Sequence, residues 1–187
     1  MIPTRDEAFE ILKKYTKSEA LLRHALAVEL CMRHFAALGG EDAELWGVCG
    51  LLHDIDYELY PDAHCKKAPE LLRAENIDEL VIRAVVSHGY AITVDVEPLS
   101  GMEKTLYAID ELTGLITACA LMRPSRSVAD LELKSVKKKY KTLNFAAGVD
   151  RAVIERGAEM LHKDVDFLIS ECILGMRGGT PCHREGN

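Results

Sequence analysis

The amino-acid sequence predicts an all-α protein, a single bundle of seven or eight helices around one core. Two observations carry that expectation. Leu, Ala, Glu and Lys are plentiful while aromatic residues make up only 6%, a composition that leans helical. Apolar residues recur at three- and four-residue spacing in segment after segment, with capping residues or glycines where those segments begin and stop. With 187 residues, 48% of them apolar, the chain is long enough to bury one sizeable core. No internal repeat, low-complexity stretch or composition shift marks a second domain, so residues 1–177 are expected to form one unit and 178–187 a flexible tail.

Thr4-Arg5-Asp6-Glu7 fits a capping box that opens a short amphipathic helix bearing Ala8, Phe9, Ile11, Leu12 and Tyr15. A second helix is expected from Ser18 to Leu38, where Gly39-Gly40 stops it. Its apolar stripe is Leu21, Ala25, Val28, Met32 and Phe35, and His24 lies on that stripe facing inward. Asp42 caps a third helix that carries Leu45, Trp46, Val48, Cys49, Leu51 and Leu52 into His53-Asp54. Beyond the turn-like Tyr60-Pro61-Asp62, a fourth segment opens at Asp62 and contains His64, with Pro69 either kinking or restarting it. Asp78 caps a helix through Val81, Ile82, Val85 and Val86 that closes at Ser87-His88-Gly89.

Ile92, Val94 and Val96 alternate like a strand, but with no partner strand in view residues 90–99 read as an extended loop. Ser100 and Glu103 form a second capping box, opening a long helix to about Leu121 with Leu106, Ile109, Thr113 and Ile116 inward and Asp110 between them. Pro124 ends it. Ser127 then caps a basic helix with Leu131 and Val136, and one last helix is expected from about Asp150 to Met176.

A net charge of -7 argues against general nucleic-acid binding. Six cysteines show no CxxC spacing, and Met1-Ile2-Pro3-Thr4 runs straight into charged helix rather than a secretory leader. No stretch reaches the roughly 18 apolar residues of a membrane span. A cytoplasmic protein with reduced thiols, bound to no membrane, is the expectation.

The polar residues set among apolar ones carry the chemistry. Adjacent side chains on a helix point about 100° apart, so His53 and Asp54 can converge on one centre only at a helix end or kink. Against the core, unpaired imidazole and carboxylate are costly, and a divalent cation resolves that cost because both groups are good ligands. The alternative is a helix end with both side chains in water. A lone inward His24 or His88 is more often a hydrogen-bonded core residue, and a lone Asp110 a salt-bridge partner. Four such features on different helices, however, can be aimed at one ion, as in bundle metal sites.

The order His24, His53-Asp54, Asp110 resembles the HD superfamily of metal-dependent phosphohydrolases. His64 with Cys65-Lys66-Lys67-Ala68 resembles the segment bearing the third histidine of two-metal members, Ser87-His88-Gly89 the fourth, and residues 102–110 the helix of the last aspartate. The similarity covers about residues 20–115. The nearest flavour is the two-metal group that includes dinucleoside-tetraphosphate hydrolases. Pro69 and the Asp54-Ile55-Asp56-Tyr57 run depart from that group, so its substrate does not carry over.

The resemblance implies an all-helical HD domain with His24, His53, Asp54 and Asp110 on a first ion. Asp54 would bridge to a second ion completed by His64 and His88. Iron or manganese is the foremost cofactor, with Mg, Co, Ni or Zn as other divalent ions. The implied activity is hydrolysis of a nucleotide or other small phosphate ester by metal-activated hydroxide, with Asp54, His64 and His88 as catalytic residues. Two other classes share the pattern: an HD-type di-iron oxygenase, and a non-catalytic domain holding a structural metal and a nucleotide or protein.

Five lysines crowd residues 134–141, with Arg123 and Arg126 upstream. A solvated helix face is the common meaning of such a run. If instead the segment folds back over the metal mouth, Arg123, Lys137 and Lys138 would contact a distal phosphate. Lys104, Asp56 and Glu58 are further candidates for substrate or supporting contacts, each read more simply as solvated surface. Glu103 is explained by capping, His34, His162 and His183 read as surface or tail, and the cysteines as small core residues.

Overall fold

The computed structural model describes residues 1–178. Nine helices run through them: α1 (Arg5–Tyr15), α2 (Glu19–Gly39), α3 (Ala43–Leu52), α4 (Ala68–Ala74), α5 (Glu79–Ser87), α6 (Gly101–Leu121), α7 (Leu133–Tyr140), α8 (Arg151–Met160) and α9 (Val165–Gly178). The protein is all-α, as its composition and periodicity predict. Residues 90–99 form no strand: one isolated bridge joins Tyr90 and Val94, and the rest is irregular. No helix of the described residues is long and apolar enough to cross a membrane. Residues 179–187 of the expected tail, His183 among them, lie outside the described residues.

The caps act where the sequence places them. The Thr4 hydroxyl accepts from the Glu7 amide while the Glu7 carboxylate accepts from the Thr4 amide at 2.8 Å. Gly40 ends α2 at a φ of +70°, a conformation that costs glycine no Cβ clash. Asp42 and Asp78 cap α3 and α5. At α6 the box is displaced: Ser100 accepts from the Glu103 amide, but the Glu103 carboxylate takes the Leu99 amide at 2.8 Å.

Two expectations fail. The last helix is two helices, because His162 adopts a φ of +53°, the Lys163 amide turns back to the Ala158 carbonyl, and the Asp164 carboxylate caps a fresh start at the Phe167 amide. No Gly or Pro announces that break. Ser127 does not cap the basic helix either: it accepts from the Ala129 amide within a turn, and α7 begins only at Leu133.

α6 is the central element, packed by α2, α3, α5, α7, α8 and α9, with Leu106, Ile109, Leu112, Leu115 and Ile116 fully buried. Against it α8 lies so close that a Cβ on Gly157 would stand 2.5 Å from the Cα of Ala108. Gly157→Ala is therefore expected to push the two helices apart and destabilise the protein by about 1–3 kcal/mol, read as a lowered midpoint in denaturant with unchanged slope. α2 and α3 make a second close pair. At Gly50 an added Cβ would meet the Met32 side chain at 2.9 Å and the Glu29 backbone at 3.1 Å, and this approach brings His53 up to His24.

Candidate metal centre

His24 comes from the second turn of α2, His53 and Asp54 from the end of α3, and His64 from just after a 3-10 turn at Pro61–Ala63. His88 comes from the end of α5 and Asp110 from the middle of α6. Five of the six line one cavity of about 410 Å³, and His53 sits behind them with no exposure. The doublet works as the sequence argument requires: α3 stops at Leu52, and the turns that follow let His53 and Asp54 face the same point.

Helix ends set the direction of two imidazoles. The last carbonyls of a helix have no amide partner within it. The His53 Nδ1 donates back to the Gly50 carbonyl at 2.8 Å, and the His88 Nδ1 does the same to Val85. The His64 Nδ1 donates to the Asp56 carboxylate at 2.9 Å, and Asp56, itself fully buried, also accepts from the Ala68 amide at 2.8 Å. With Nδ1 occupied, each ring turns its Nε2 lone pair inward, the arrangement by which metal-binding histidines are oriented.

Those nitrogens fall into two groups that share Asp54. In the first, His24 Nε2 lies 3.2 Å from His53 Nε2 and 2.8 Å from Asp110 Oδ1, while Asp54 Oδ2 is 3.3 Å from His53 Nε2 and 3.8 Å from His24 Nε2. In the second, His64 Nε2 lies 3.1 Å from His88 Nε2, with Asp54 Oδ1 at 3.4 Å and 3.6 Å from the two. Each carboxylate oxygen thus faces its own histidine pair. Ligands about 2.1 Å from a common ion stand roughly 3.0–3.4 Å from one another, so these spacings fit a divalent cation in each group. Two acceptor nitrogens facing each other at 3.1–3.2 Å need a proton or a cation between them, and nothing else in the donor set supplies one.

In the metal-free protein that charge is protonic. Burial pulls His53 down, but Asp54 and Asp110 outweigh it and raise its pKa to about 10. Burial likewise opposes His64, and the Asp56 hydrogen bond raises it to about 9. Burial would raise Asp54 and Asp110; instead His53, with His88 on the first and His24 on the second, holds both below the usual carboxylate range. The sign follows. The raised imidazoles stabilise the metal-free fold fully below their unfolded pKa near 6.5, and that contribution is lost as pH rises through about 9–10. At pH 7.5 a divalent cation must displace these protons, so loading is expected to release at least about one proton per chain and to weaken as pH falls. Calorimetry of manganese binding in buffers of different ionisation enthalpy reads the number directly; a buffer-independent heat would contradict it.

Other expectations shift. Asp56, read as surface, is the buried carboxylate that aims His64. Glu58 accepts the Lys17 and Ser18 amides at the turn between α1 and α2, away from the ligands. His34 is half-buried and pairs with Glu171 of α9 at 2.7 Å, whereas His162 is exposed as expected. None of the proposed substrate contacts lines the cavity: not Lys104, Arg123, Lys137 or Lys138. Arg123 pairs with Asp130 at 2.9 Å and Lys137 with Asp166, because α7 packs toward α9 and carries the lysines away from the mouth.

Sequence reasoning missed three neighbours of the ligands. Cys65, at a φ of +64°, places its thiol 3.7 Å from His88 Nε2; burial would raise it, but His88 and His64 bring it down to about 6. The ring of Tyr57 stands edge-on to His64, with centroids 5.1 Å apart. Glu111, next to Asp110 in the cavity wall, is pushed up to about 7 by burial and by the Asp110 charge. The only available signal was adjacency in sequence to a ligand, which Cys65 and Glu111 have and Tyr57 lacks.

Comparison with known proteins adds family and distance. A tRNA (cytidine(56)-2'-O)-methyltransferase of Picrophilus torridus is 28% identical over 176 residues, covering 91% of this chain and 51% of that protein, so the chain spans about half the length of this curated relative. No solved structure matches. The HD domain family matches residues 21–114, a span that contains all six converging histidines and aspartates, and the chain belongs to that family.

Proposed function

We propose that the protein is a metal-dependent phosphohydrolase acting on a small phosphate ester, a nucleotide among the candidates, through a single HD domain spanning residues 1–177. Family membership implies the coarser part, metal-dependent hydrolase-type activity. The observation that carries the finer part is the placing of Asp54, whose two oxygens face the His24–His53 pair and the His64–His88 pair separately. On this reading His24, His53, Asp54 and Asp110 hold one divalent ion and Asp54, His64 and His88 a second, iron or manganese foremost. Ions held there would make hydroxide available from water near neutral pH and draw charge from phosphoryl oxygens.

The chain's own residues do the rest. Asp54 and Asp110 fix the position of charge, the Nδ1 hydrogen bonds of His53, His64 and His88 hold the ring planes, and the half-closed cavity limits competing water. Five described cysteines, all free and buried, suit a reducing compartment, and we place the protein in the cytoplasm. The methyl transfer to tRNA is named for a protein of which this chain covers 51%, and it is not carried over to the chain.

The test uses protein purified without added metal, then loaded with manganese under nitrogen. Release of inorganic phosphate from p-nitrophenyl phosphate, undiminished without O2, is the expected result. Turnover that strictly requires iron and O2 would move the assignment to a di-iron oxygenase, since both chemistries use this ligand set.

A further inference from the structure

The cavity that holds the ligands is poor in positive charge. Its imidazole and carboxylate lining is His24, His64, His88, Asp54, Asp110 and Glu111, and among the described residues no lysine or arginine reaches it. Arg156 stands behind the wall, its guanidinium donating to the Tyr107 hydroxyl at 2.9 Å. Two divalent ions set against the Asp54 and Asp110 carboxylates leave about two positive charges, enough for one phosphate dianion. A second phosphate would meet Glu111 and apolar wall rather than a cation. The remaining lining is mainly apolar: Leu21, Tyr57, Ile92, Tyr107, Val149 and Val153.

The cavity does not end there. His24 and Gly114 also line a second hollow of about 790 Å³, which runs between α2 and α6 toward the end of α9. Gly114 sits one turn after Asp110 and leaves the saddle between the two hollows low, the nearest atom to a hypothetical Cβ being Val149 Cγ2 at 4.0 Å. The groove wall is Leu26, Ala27, Leu30, Ala120, Leu121 and Met176. Its two basic residues stand at the edges: Arg23 pairs with Glu19 at 3.2 Å, and Arg126 lies beyond the end of α6. From Ala20 to Leu30 the groove follows α2 for about 15 Å, long enough to take a fully extended ten-carbon chain.

Resting on the phosphohydrolase reading, we infer that the substrate is a monophosphate ester of an uncharged, chain-like apolar alcohol, whose phosphate sits among the six ligand residues and whose body crosses Gly114 into the α2–α6 groove. The occupant is argued from continuity and lining: the groove opens into the reaction cavity, no lysine or arginine lines that cavity among the described residues, and between Arg23 and Arg126 at its edges the groove wall is mainly apolar. The reaction balances without another reactant. Water adds its oxygen to phosphorus, the bond from phosphorus to the ester oxygen breaks, and the departing oxygen takes a proton, giving the alcohol and inorganic phosphate.

Binding and turnover are measured side by side on manganese-loaded protein. The non-hydrolysable probes are decylphosphonate, methylphosphonate and ADP, read by calorimetry; the substrates are decyl phosphate, AMP and ATP. Decylphosphonate is expected to bind about 100-fold more tightly than methylphosphonate, since most of its methylenes leave water. Decyl phosphate is expected to be turned over with a higher kcat/KM than AMP or ATP. Thr117→Trp, which fills the groove one turn past Gly114, and Leu121→Glu, which puts charge on an exposed position of its rim, should each erase about tenfold or more of the decyl-over-methyl preference. Melting temperature and metal content report whether either variant has lost its fold.

Equal affinity for decyl- and methylphosphonate, a preference for AMP or ATP over decyl phosphate, or a dimer that closes the groove and excludes decylphosphonate would each overturn the inference. The two readings fail separately. Tight decylphosphonate binding with no phosphate released from any ester overturns the hydrolase and keeps the groove, whereas release without a chain-length preference does the reverse.

Discussion

Asp54→Ala is expected to remove most of the bound metal and to cut phosphate release by more than about 10³-fold, beyond the loss of a single preorganised transition-state contact. The reason lies in its two oxygens. Oδ2 stands 3.3 Å from His53 Nε2, and Oδ1 stands 3.4 Å from His64 Nε2 and 3.6 Å from His88 Nε2, so one truncation takes a ligand from both groups. It also takes away a carboxylate that raises His53 and His88, leaving buried imidazoles with one counter-charge fewer. Asp54→Asn separates the effects: it keeps the volume and removes the charge, so its metal loss should approach that of the alanine variant while the fold is better kept. Metal content by elemental analysis, phosphate release and thermal unfolding are the readouts. Full metal content in either variant would end the assignment of Asp54 as the shared ligand.

Much of this centre was legible in the sequence because its ligands interrupt a pattern. His24 stands out on the apolar stripe of α2, Asp110 between Ile109 and the next inward positions of α6, and His53-Asp54 at the end of an apolar run. Periodicity can therefore say that these groups face inward. It cannot say what they meet, and the distances that link His24 to Asp110, or His64 to His88, span 86 and 24 residues of chain. The resemblance to a family supplied that pairing in advance.

What stayed hidden has its own physical cause. The basic stretch offered a phosphate contact only if it folded back over the metal mouth from the end of α6, and which way it folds is set by the packing of α7 on α9, where Lys137 finds Asp166. The break between α8 and α9 turns on one residue in the left-handed region, His162, and on a cap at Asp164, neither of which outweighs the apolar periodicity on both sides. Asp56 sits in a run of acidic residues that elsewhere means solvated surface, and the chain buries it because the Ala68 amide and the His64 ring both need an acceptor.

That last contact gives the second large effect. Asp56→Asn is expected to lower affinity for the second ion by about 10–100-fold, the usual cost of losing a carboxylate behind a metal-bound histidine, while the first ion stays in place. The asparagine can still accept from one partner, but a neutral amide raises the basicity of His64 less and is free to turn its NH2 toward the ring. His64 then loses the fixed acceptor for its Nδ1–H, which turns its Nε2 toward His88, 3.1 Å away, and toward Asp54 Oδ1 at 3.4 Å. The first group is held from other directions: His53 by the Gly50 carbonyl at 2.8 Å, and His24 by its contact with Asp110 at the same distance. Titrating metal-free protein with manganese should therefore give two sites in the native chain and one unchanged plus one weakened site in Asp56→Asn. A uniform weakening of both would assign Asp56 to the stability of the turn after α3 instead, and a native chain that takes up a single ion whether or not His64 is replaced by Ala would remove the second site altogether.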